Sequence, residues 1–123
     1  MQIFPNVDSR VDEDWIVKEF FNYISEEDFV GCLSSIVNRD GCVLDEEYCL
    51  FPDLSPDGDF VGVKVGTFGN ERIYSEAEFL VFLRAACGRY SEKHPEATVV
   101  ISGLLSSMPW DASPGGLRSS CEF

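Results

Sequence analysis

The sequence predicts an α+β fold: one two-layer domain in which a small antiparallel sheet of three to four strands packs with about four helices. Three features predict it. Apolar residues recur at helical spacing in both outer thirds of the chain. The middle third carries the period-2 alternation of a strand with one buried face, as in Val61, Val63, Val65 and Thr67. The two patterns are segregated in the order helix, helix, strands, helix, helix. The length of 123 residues fits one domain. Residues 1–108 are expected to form it, and residues 109–123, containing Ser, Gly and Pro with little pattern, a loose tail.

Residues 1–11 are short and mixed, a strand or an extended lead-in. Asp12 or Asp14 can cap a first helix through about Ile24, with Trp15, Ile16, Phe20, Tyr23 and Ile24 at helical spacing. Val17 and Phe21 lie off the main line of that stripe and Trp15 at its margin, so this helix has a second apolar face, either under the sheet or against a partner. Ser25-Glu26-Glu27-Asp28 reads as the N-cap of a second helix, whose stripe is Phe29, Leu33, Ile36 and Val37. Arg39-Asp40-Gly41 stops it.

Cys42-Val43-Leu44 and Tyr48-Cys49-Leu50-Phe51 are one strand interrupted by acids or two short ones. Pro52 to Asp59 is a loop, with Pro56-Asp57-Gly58 as turn chemistry. The strand from Val61 to Thr67 is expected to turn back at Gly69-Asn70. Ser75-Glu76-Ala77-Glu78 is a capping box that opens a long helix to about Lys93. Pro95 can open a fourth helix, with Ala97, Val100, Ile101, Leu104, Leu105 and Met108 on one face.

The composition narrows the function. There are 22 acidic side chains against 9 basic ones, a formal net charge of −13, and 45 % hydrophobic residues. That much apolar side chain can fill a core. The charge repels phosphates, which excludes nucleic acid and anionic lipid as direct partners and permits a basic protein. No run is long enough for a membrane helix, and the first residues show no secretory signal. Cys32, Cys42, Cys49, Cys87 and Cys121 are odd in number and form no C-x-x-C pair. Free buried thiols in a reducing cytoplasm are expected.

The acids are unevenly placed. Asp40, Asp45, Glu46, Glu47, Asp53, Asp57 and Asp59 fall within twenty residues that contain no Lys or Arg. The stretch is either a solvated face or a negative patch for a positive partner, which would speed association and enforce partner choice. Asp53, Asp57 and Asp59 also suggest a calcium site, but the D-x-x-x-D-G-D order lacks EF-hand spacing and its downstream Glu. Catalysis has little to work with. His94 is the single histidine, Ser91 and Cys87 carry no nucleophile-elbow glycines, and Gly62, Gly66 and Gly69 form no phosphate loop. No cofactor and no enzymatic activity are expected.

Several segments in order resemble a known family. They are Asp14-Trp15-Ile16-Val17-Lys18-Glu19-Phe20-Phe21, Phe29-Val30-Gly31, the acidic stretch through Phe51-Pro52-Asp53, and Phe60-Val61-Gly62-Val63-Lys64. The last is Ala85-Ala86-Cys87-Gly88-Arg89-Tyr90 leading into His94-Pro95-Glu96. Over residues 12–108 the chain resembles the ribonuclease-toxin immunity proteins of bacterial contact-dependent growth inhibition systems. The resemblance implies a cytoplasmic protein that binds and blocks the C-terminal nuclease domain of its own cell's toxin, as a heterodimer and without catalysis. The family carries no fixed contact residues, because toxin contacts vary between cognate pairs. Charge therefore selects them here: Asp45, Glu46, Glu47, Asp53, Asp57 and Asp59, with Tyr48, Phe51 and Phe60 as aromatic anchors where exposed. The alternative is a small cytosolic ligand- or metal-binding module.

Overall fold

Asp28 ends one helix and starts the next. Its backbone N–H donates to Ile24 O, while its carboxylate accepts from the Gly31 N–H at 3.1 Å. Gly31 is required for this cap, since a Cβ there would lie 2.2 Å from the Asp28 carboxylate. The first helix, α1 (Trp15–Glu27), thus runs through Ser25, and Asp28 rather than Ser25 caps α2 (Phe29–Val37). The Ser25 hydroxyl instead donates back to Asn22 O, a bond compatible with staying helical.

The computed structural model describes residues 3–5, 7–52 and 61–108. After α2 come β1 (Cys42–Leu44), β2 (Glu47–Leu50), β3 (Val63–Thr67) and β4 (Asn70–Tyr74). They form one antiparallel sheet in the order β1-β2-β3-β4. Helix α3 (Glu76–Lys93) and α4 (Thr98–Ser106) follow, joined by a 3-10 turn at Pro95–Ala97. Ser75 and Glu78 form the reciprocal capping box expected for α3. Among the described residues, four α-helices and a four-stranded antiparallel sheet make a small α+β domain, as the sequence predicts. Of the loop expected at 52–59, residues 53–59 lie outside the described residues, as does the tail expected at 109–123.

Two local features differ from expectation. The β3–β4 turn is Phe68-Gly69, one residue earlier than Gly69-Asn70, because Thr67 pairs with Asn70. Phe68 (φ 46°) and Gly69 (φ 86°) both adopt positive φ, the geometry of a mirror-image hairpin turn. The Asn70 side-chain amide donates to Thr67 O and Phe68 O, which fixes the earlier turn. In α4, Ile101 is buried but Val100 is 51 % exposed, so Val100 leaves the predicted face.

Helix α1 lies across the inner face of the sheet, chiefly on β3. Its second apolar face is under the sheet: Val17 and Phe21 are fully buried. Phe21 packs edge-on to Phe20 and against Phe79 of α3, with ring centroids 5.3 and 5.7 Å apart. Burying side chains of this size stabilises by roughly 1.5–3 kcal/mol each. Phe29 of α2 stacks on Tyr90 of α3 at 4.2 Å. Cys32, Cys42, Cys49 and Cys87 are free and buried, as the spacing predicts; Cys121 lies outside the described residues. Among the described residues, no helix is long and apolar enough to cross a membrane.

Candidate functional site

A four-stranded meander places its first and third turns at the same end of the sheet. Here those turns are Asp45-Glu46 and Phe68-Gly69. The Phe68 N–H donates to Glu46 O at 3.1 Å and ties the two tips together. Asp45 and Glu46 are exposed, and Asp45 takes a positive φ of 53°, a conformation Asp tolerates better than most residues. The Tyr23 hydroxyl of α1 donates to Asp45. That bond to a negative acceptor, with some burial, pushes the Tyr23 hydroxyl up to about 12 and keeps it a donor.

Glu47 differs from its two acidic neighbours. Residues paired across strands share a face, and Glu47 pairs with Thr67 on the inner face. It is 1 % exposed. Its Oε2 accepts from Thr67 Oγ1 at 2.6 Å, but its Oε1 has no hydrogen-bond partner. Burial raises its carboxyl above the usual range, opposed by the Thr67 bond and reinforced by the charges of Glu19 and Glu46.

A cavity of about 200 Å³ opens beside Glu47, between α1 and the hairpin tips. Helix α1 contributes Trp15, Glu19, Asn22 and Glu26 at i, i+4, i+7 and i+11, together with Tyr23. The sheet contributes Glu47, Thr67 and Phe68. Phe68 is 67 % exposed at the rim. Trp15, Glu19, Tyr23 and Phe68 were not among the residues that charge selects. Trp15 at the margin of its stripe and the adjacent Phe-Gly pair were the available signals.

The other selected residues are dispersed. Tyr48 sits on the opposite face of the sheet, over Gly66, and donates to Glu71. A Cβ at Gly66 would meet the Tyr48 ring at 2.1 Å, so the glycine makes room for it. Burial, then the bond to Glu71, pushes the Tyr48 hydroxyl up to about 12. Phe51 is 2 % exposed, with the Arg39 guanidinium 5.0 Å from its ring centroid, so it is a core residue and offers no face to a partner. Asp53, Asp57, Asp59 and Phe60 lie outside the described residues, and the calcium candidate with them. Among the described residues, no group of three His, Cys, Asp or Glu is arranged to hold a metal ion.

A second concavity, of about 680 Å³, is bordered by acids of the segment before α1. Part of its charge is matched internally, at Asp12 and Asp14. Lys18 bonds Asp12 at 2.8 Å, Arg72 lies 3.6 Å from Asp14, and the Tyr74 hydroxyl donates to Asp14 at 3.0 Å. Nor do the nucleophile candidates assemble. Burial pushes the Cys87 thiol up to about 12, while His94 stacks on Tyr90 and contacts Glu96 at 3.4 Å.

The family model described as CDI immunity protein matches residues 13–105. No curated protein matches the chain. The matched stretch begins just before α1 and ends in α4, and so takes in both hairpins and the cavity between them and α1. The chain therefore belongs to the immunity proteins of contact-dependent growth inhibition.

Proposed function

We propose that this protein neutralises its cognate growth-inhibition toxin by binding the toxin's C-terminal domain with the acidic hairpin end, and that this domain is a ribonuclease. The observation that carries the reading is the tip itself. Two exposed acids, Asp45 and Glu46, sit beside an exposed Phe68. An enzyme that cleaves RNA must attract phosphates, so its cleft is positive. Carboxylates can occupy the phosphate positions through charge-assisted bonds to Arg and Lys. Their field also raises the encounter rate and selects a basic partner. Phe68 supplies the aromatic anchor that acids lack. A bulky residue at positive φ is strained, and such strain concentrates at functional sites.

The protein acts stoichiometrically, as a heterodimer, in the cytoplasm where the toxin's RNA target resides. Four free buried thiols suit that reducing compartment. The test is co-production with the C-terminal domain of the cognate toxin. Growth and intact cellular RNA are expected with the wild-type chain. Killing that the chain does not relieve, or relief of a toxin that leaves cellular RNA intact, contradicts the reading.

A further inference from the structure

Glu47 is the only buried acid among the described residues. Leaving a carboxylate oxygen in a protein interior without a donor is expensive, because the lost hydration is not replaced. Glu47 Oε1 is in that position, and its side chain lines a cavity in which Glu19 supplies a second negative charge. None of the described residues lining the cavity is Lys or Arg.

We propose that this cavity is a receptor for one guanidinium, carried by an arginine side chain of the toxin. This deepens the proposed function and rests on it. Size points to a side chain. At about 200 Å³ the space far exceeds the roughly 30 Å³ share of one water but falls below the roughly 300 Å³ where small-molecule pockets begin. Chemistry points to arginine. Trp15, Tyr23 and Phe68 line the space and favour a planar, weakly hydrated cation, while Glu47, whose Oε1 is buried in the free protein, turns toward the cavity to accept one of its N–H groups. The free protein buries a carboxyl oxygen without a hydrogen-bond partner, and complex formation satisfies it. The cavity would therefore govern how long the complex lasts, while the exposed rim governs how fast it forms.

The test compares wild type with Glu47→Gln, which keeps the shape and a partner for Thr67. Binding to the cognate toxin domain at fixed salt is expected to weaken roughly 30-fold or more, mainly through faster dissociation. Replacing the toxin's arginines one at a time should identify one whose loss costs nothing further in the Glu47→Gln background. If Glu47→Gln does not fold, Glu19→Gln is used and the same coupling to one arginine is expected. Unchanged affinity, or the absence of a coupled arginine, means that water fills the cavity and overturns the proposal. A toxin-independent arm separates this outcome from failure of the functional reading. N-acetyl-arginine amide should shift the Thr67 and Phe68 amide resonances saturably in wild type and not in Glu47→Gln. Should wild type not bind the toxin while the amide still binds, the functional reading falls and the receptor stands. Should neither bind, both fall.

Discussion

The Phe68 N–H donates to the Glu46 carbonyl at 3.1 Å, across two hairpins whose tips are 22 residues apart in sequence. The bond joins the exposed aromatic ring and the exposed acids into one surface, and it holds Phe68 at a φ of 46° that its bulk disfavours.

Relieving that strain separates stability from function. Phe68→Gly suits positive φ but gains unfolded-chain entropy, so the free energy of unfolding is expected to change by less than about 1 kcal/mol. Toxin affinity is expected to fall tenfold or more if the ring is an anchor. Urea denaturation and calorimetric titration of the same sample check both.

The buried Glu47 imposes a pH signature. Its carboxyl is raised in the folded state, first by burial and then by Glu19 and Glu46, against the Thr67 bond. Tyr23 and Glu26 of α1 also border it. A raised group is tolerated fully below its unfolded value, and the contribution is lost as pH rises through the folded value. Glu47→Gln is therefore expected to be more stable than wild type at pH 7, with the gap closing as pH falls towards about 4. Denaturant midpoints of both proteins across that range measure it. A gap independent of pH contradicts it.

Asn22 pins the N-terminal segment. Its side chain accepts from the Phe4 N–H at 2.8 Å and donates to Phe4 O at 3.0 Å, while Arg89 donates to Ile3 O at 3.1 Å. Asn22→Ala strands two buried backbone groups and is expected to cost about 2–4 kcal/mol in urea unfolding.

Ser75 caps α3 reciprocally with Glu78, and the cap bond holds the Glu78 carboxyl below its usual range. Ser75→Ala is expected to cost about 1 kcal/mol in thermal or urea unfolding. Toxin affinity is expected to stay unchanged, since α3 does not line the cavity beside Glu47.

Local chemistry was the legible part of the sequence. The α3 cap is written in four consecutive residues, and the period-2 run of β3 announces the sheet. The roles of the acids were not legible in that way. Asp45, Glu46 and Glu47 are adjacent and chemically alike, yet a two-residue turn at Asp45-Glu46 leaves two outside and sends the third under α1. Phe51 looked like a candidate anchor until tertiary packing buried it beneath Arg39. The cavity escaped because it joins positions 15–26 to positions 47–68, a separation that no spacing rule spans.

The proposed contact between the acidic hairpin end and a basic toxin surface is open to a kinetic test. Its most direct measurement is the association rate of the cognate toxin domain with wild type and with Asp45→Asn/Glu46→Gln, across a salt series. Asn suits the positive φ at position 45, so the fold is preserved. The wild-type rate is expected to fall steeply with salt, and the variant rate to be several-fold lower with a flatter dependence. Identical rates and identical salt dependence would contradict it.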